Sequence, residues 1–142
     1  MRNDEVPVPL NPEGWPPPKG YANGMTARGR LVFIAGQIGW KPEQRFETDD
    51  FVGQLRQALE NTVAVLAAAG ARPEHVVRMT WYVTDKREYL TRLADVGRCY
   101  REVMGRHFPT MALVQVVALV EDRAKLEIET TAVVPDGVGS AE

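Results

Sequence analysis

Residues 30–40 read Arg30-Leu31-Val32-Phe33-Ile34-Ala35-Gly36-Gln37-Ile38-Gly39-Trp40. The unbroken apolar run Leu31 to Ile34 departs from the alternation of a half-exposed strand. It predicts a strand buried on both faces. Gly36 and Gly39 interrupt the end of that strand. Glycine there marks a bulge or a close approach of backbone to ligand. Just upstream, Ala27-Arg28-Gly29-Arg30 carries turn chemistry, which makes residues 21–26 a short hairpin partner.

Working outward, residues 1–20 form an arm that is rich in proline from Pro7 on, with Pro16-Pro17-Pro18 in a row. Proline fixes φ and removes amide donors, so the arm is extended and contributes neither helix nor central strand. On the other side, Phe51, Leu55, Leu59, Val63 and Leu66 recur at spacings of three and four. This predicts a helix over residues 49–69, capped by Asp49 or Asp50 and stopped by Gly70. Gln54, Arg56, Gln57, Glu60 and Asn61 fall on its opposite, polar face.

A strand is expected over residues 75–83 and a second helix over 86–104, stopped by Gly105. The apolar run 111–120 reads as a central strand and residues 121–124 as a turn. The last strand, 125–134, alternates Leu126 and Ile128 with Glu127 and Glu129. One domain over residues 21–134 follows, with a flexible tail over 135–142. The layout is α+β, a mixed sheet with two helices packed on one face. The other, apolar face is expected to be buried against further copies of the chain.

The 142 residues suit a single domain. With 17 basic and 19 acidic residues the net charge is −2, which gives no electrostatic reason to expect nucleic acid as a partner. Cys99 is the only cysteine, so an intrachain disulfide or an all-cysteine zinc site is excluded and a reducing cytoplasmic compartment is expected. No stretch approaches the roughly 20 apolar residues that span a bilayer, so no membrane association is expected.

Several segments, taken in order and at their spacing, resemble the RidA/YjgF family. They are Leu31 to Gln37, Gln54 to Asn61, Ala69-Gly70-Ala71, Tyr82-Val83-Thr84-Asp85, Phe108-Pro109 and Leu126-Glu127-Ile128-Glu129. The resemblance implies a chorismate-mutase-like fold and a homotrimer with a barrel-like core and small-molecule pockets between subunits. It also implies hydrolysis of enamine or imine intermediates such as 2-aminoacrylate to keto acids and ammonia, without metal or organic cofactor. Other members of that family are described as ribonucleases or translation inhibitors.

Carried over by position, the resemblance places Tyr21, Ala35, Gly36, Gln37 and Met111 at the substrate and gives Glu127 the catalytic role. Trp40 is added as an apolar wall. Glu127 would orient a water or exchange a proton with the imine. Three positions depart from the family pattern. Ala35 replaces a serine, Gly97 an asparagine, and Met111 the arginine that holds the substrate carboxylate. Methionine has neither donor nor charge. Loss of such a contact costs about 2–5 kcal/mol where the partner charge is buried. The expected protein is therefore a divergent member acting on an imine other than 2-aminoacrylate. A non-catalytic binding or sensing module is the alternative, and an endoribonuclease is third.

The remaining chemistry-bearing residues read more simply. His75 and His107 lack metal-site spacing and are expected at a surface or interface. Cys99 reads as a small buried residue, and Trp81 and Tyr100 as core.

Overall fold

Asp50 starts the long helix α1 (Phe51–Ala68): its carboxylate accepts the Gly53 amide at 3.0 Å. Gly70, at φ +71°, ends the helix. Its amide reaches the Ala67 carbonyl while the Ala71 amide reaches Leu66, the paired bonds of a Schellman stop. The apolar face drives Phe51, Leu55, Leu59 and Leu66 into the core. Each such leucine is worth about 2–5 kcal/mol over alanine. The computed structural model describes residues 6–138.

The helix lies on a four-stranded sheet built from β3 (Arg30–Ile38), β4 (Val76–Val83), β5 (Thr110–Gln115) and β6 (Leu126–Val134), in the order β3-β6-β4-β5. β6 is antiparallel to both neighbours, and β4 and β5 are parallel. The parallel pair requires a crossover, which α2 (Lys86–Leu90) and α3 (Leu93–Met104) supply. The arrangement is the mixed α+β sheet read from the sequence, with three α-helices, not two, among the described residues. On the helix side Val76, Met79, Trp81, Val83, Leu126 and Ile128 form the core with α1 and α3.

Four expectations need correction. The short strand β2 (Gly24–Thr26) pairs with β1 (Val8–Leu10) from the proline-rich arm, not with β3. Pro7 and Pro9 flank Val8 on an isolated two-stranded edge, where missing amide donors are tolerated. The second helix breaks at Thr91 and Arg92. The Thr91 hydroxyl takes the Arg87 carbonyl, and Arg92 leaves helical geometry to bind Asp50 and Asp95. β5 stops at Gln115, and Val117 and Val120 of the expected strand stand fully in solvent. At the C-terminus, Pro135 is buried and Val138 packs on the core, so residues 135–138 belong with the domain. The rest of the expected tail, residues 139–142, lies outside the described residues.

Two polar residues are buried against expectation. Gln54 donates to the Thr48 and Arg123 carbonyls and accepts the Lys125 amide, so its amide group is satisfied without water. His75 closes the 3₁₀ turn Pro73–His75, with Nδ1 accepting the Arg72 amide at 3.0 Å. Its burial holds its pKa below the ordinary 6.5.

Candidate functional site

Two loci hold all but Trp40 of the site residues singled out from the sequence. The first is a cleft of about 370 Å³ between α3 and the β4–β5 pair. Its floor is Trp81, Leu113 and Met111, and strand register explains why they share it: Met111 pairs with Met79 and Leu113 with Trp81. Met79 and Trp81 point into the helix-side core. The α3 wall contributes Val96, Gly97, Tyr100 and Arg101. Tyr21 closes one end, held there by a 2.9 Å bond from the Ala22 amide to the Pro109 carbonyl.

Aromatic packing stiffens this floor. Tyr100 stacks on Phe108 with centroids 5.5 Å apart and meets Trp81 at 6.4 Å. The Tyr100 hydroxyl donates to the His107 carbonyl at 2.7 Å, and burial pushes its pKa up. It is therefore a positioned donor that stays protonated. Trp81 is only 2% exposed, and its indole N–H has no hydrogen-bond partner among the described residues.

The second locus is on the opposite sheet face. Between Ile34 and Gln37 the β3–β6 register slips, so Ala35 and Gly36 form a bulge. The Glu127 side chain lies over Gly36, in the space where a Cβ would sit. The Gln37 side chain turns back to the Ala35 carbonyl at 3.1 Å. Beside them Tyr82 donates to Glu129 at 2.9 Å, and that carboxylate raises the phenol's pKa. A shallow hollow of about 430 Å³ opens here between Phe33, Ala35, Arg78 and Glu129.

The two loci cannot meet within one chain. Glu127 pairs with Tyr82 and Ile128 with Trp81. Successive strand residues point to opposite faces, so Glu127 projects away from the cleft that Trp81 and Met111 line. Trp40 joins neither locus. Its ring packs on Phe46 at 5.7 Å, and its carbonyl accepts the Asn61 amide at 2.8 Å.

Cys99 is buried, which pushes its thiol pKa up and away from nucleophilic use. Among the described residues no three His, Cys, Asp or Glu side chains group to hold a metal ion, and no helix is long and apolar enough to cross a membrane. Sequence reasoning missed Arg101 as a cleft residue. The available signal was its spacing of four from Gly97, which puts both on one helix face.

A family model described as endoribonuclease L-PSP matches residues 15–134. The chain belongs to the RidA/YjgF family. A relative from Salmonella typhimurium, named 2-iminobutanoate/2-iminopropanoate deaminase, is 34% identical over 116 residues, covering 80% of this chain and 86% of its own. Among solved structures, the Rid-family protein YyfB of Yersinia pestis superposes with a TM-score of 0.81 at 30% identity, covering 91% of this chain and 99% of that one. Escherichia coli TdcF, solved with bound serine, gives 0.63 at 31% identity, covering 94% and 96%. The mixed α+β fold described above is thus the fold of RidA/YjgF proteins.

Proposed function

We propose that this protein is a cofactor-free imine or enamine hydrolase whose pocket forms between copies of the chain. The cleft beside α3 of one protomer meets the Glu127 bulge of the next. The carrying observation is the placement of Met111 and Glu127 on opposite faces of one sheet, which leaves each locus half a pocket. A ring of copies brings opposite faces together, and a closed homotrimer is the smallest ring consistent with family membership. The uncovered sheet face supports this reading. Phe33 is 74% exposed there and Leu31 is exposed beside it.

In this pocket the Glu127 carboxylate takes a proton from water as the water oxygen bonds to the imine carbon. That proton passes to the nitrogen, and the carbinolamine collapses to a carbonyl and ammonia. Overall, one imine and one water give one ketone or keto acid and one ammonia. Met111, Leu113 and Trp81 make the floor apolar, so the favoured substrate carries a bulky apolar substituent and is not 2-aminoacrylate.

The test generates imines in situ from a panel of amino acids with an amino-acid oxidase and follows semicarbazone trapping. Faster loss of imines with branched or aromatic side chains is expected. No acceleration for any imine, together with a ligand-dependent rise in Tm, would convert the reading to a binding module.

A further inference from the structure

Within one protomer the α3-side cleft carries positive charge that no lining carboxylate balances. Lys19 and Arg101 both line it, and neither forms an ion pair among the described residues. No aspartate or glutamate contributes to the lining. By contrast, the α3 residue Arg98 is tied to Asp95, and Arg92 to Asp50 and Asp95.

Arg101 is also seated in a particular way. A Cβ built on Gly97 would stand 3.1 Å from Arg101 Nη1, so the guanidinium lies across the place where any other residue would put a side chain. Glycine inside a helix is destabilising relative to alanine. Here it makes room for the guanidinium at the cleft wall. Beneath the floor Trp81 is buried, and its indole N–H has no partner among the described residues.

We propose that Arg101, seated over Gly97, is the anion anchor of this cleft and that its ligand is a carboxylate with an aromatic or branched apolar body. This rests on the reading of the cleft as half of the pocket. The guanidinium takes the carboxylate by charge-assisted hydrogen bonds. The body lies on Met111 and Leu113. Substrate selection has two parts: α3 reads the acid group and β5 reads the apolar body.

The probes are 3-phenyl-2-oxopropanoate and its methyl ester, titrated calorimetrically into the full-length protein. Wild type should bind the acid about tenfold or more tighter than the ester, as expected for loss of a hydrogen bond to a charged group. Arg101→Gln should abolish that preference while leaving ester affinity near wild type, and Arg101→Lys should retain part of it. Gly97→Leu, a good helix former whose side chain reaches beyond Cβ into the guanidinium's seat, should weaken acid binding. Arg98→Gln, on α3 but outside both halves of the pocket, should change nothing.

An unchanged acid preference in Arg101→Gln, or equal binding of acid and ester by wild type, overturns the assignment. Equal competition by inorganic phosphate overturns the choice of carboxylate. Catalysis is scored separately. Acid preference without hydrolysis of any imine sinks the hydrolase reading and leaves Arg101 standing, whereas hydrolysis without acid preference does the reverse.

Discussion

Glu127 occupies the space that Gly36 leaves empty. A Cβ on Gly36 would lie 2.7 Å from Glu127 Cδ and 2.9 Å from Cγ. The obstruction is a flexible side chain and not backbone. Gly36→Ala should therefore fold with an unfolding midpoint near wild type while pushing the carboxylate off its position. A general base contributes about 10²–10⁴ in rate. The expected result is a fall of about a hundredfold in kcat for imine hydrolysis with little change in KM. Wild-type turnover in Gly36→Ala would remove Glu127 from the mechanism.

Gly39 makes the opposite kind of contact. Its Cβ would come within 2.6 Å of the Gln54 Cα and carbonyl oxygen, which belong to α1 and cannot rotate away. Gly39→Ala should cost about 1–3 kcal/mol as an overpacked site. Urea unfolding reads this as a lower midpoint at constant m. Turnover per folded molecule should be unaffected, which separates Gly39 from Gly36.

The position of β3 was legible, although Leu31 and Phe33 leave one of its expected buried faces exposed in a single copy, and α1 was the most legible element. Both follow from the spacing of apolar residues, which survives without tertiary information. The misreadings have a common cause. Gln54 looks like a surface residue because two of its three backbone partners, Arg123 and Lys125, are distant in sequence. The arm's strand β1 is hidden by its prolines, and Val117 and Val120 look like strand core because an apolar residue says nothing about what covers it. The family resemblance named Met111 and Glu127 together. Only the register of β5 on β4 and of β4 on β6 reveals that they face opposite ways.

His75 makes stability depend on pH in a definite direction. Burial lowers its folded-state pKa below 6.5, so the unfolded chain takes up the proton first as pH falls. Stability is then complete above about pH 6.5 and declines as pH drops from there toward the folded-state value. His75→Asn keeps an acceptor for the Arg72 amide and removes the titration. Its plot of unfolding free energy against pH should be flatter than wild type as pH falls below 6.5. An identical slope in the variant would exclude His75 as the source.

Phe33 offers a direct test of self-association. Leu31 and Phe33 project from the uncovered sheet face, where a single copy leaves them in water. Phe33→Asp should leave the monomer fold intact, because the ring contributes nothing to the helix-side core. It should also place an unpaired charge in the contact between copies. Sedimentation velocity should show a trimer for wild type and a monomer for the variant at equal concentration. Imine turnover should disappear along with the trimer.

The split between Met111 and Glu127 allows a stricter test than loss of function. Glu127→Gln leaves the α3-side cleft intact and disables the bulge. Met111→Glu leaves the bulge intact and puts a charge into the apolar floor. Each variant alone should be inactive. Unfolded together in equal amounts and refolded, they form mixed trimers in which half of the clefts are native and half of the bulges are native. In a ring where each pocket draws one half from each of two neighbours, about a quarter of the pockets then pair two native halves. Turnover should return to about a quarter of the wild-type level. A site built within one chain has no such recovery, since every chain carries one defect. An inactive mixture whose mixed trimers are confirmed by native mass spectrometry would place both residues in the same protomer's site and refute the shared pocket.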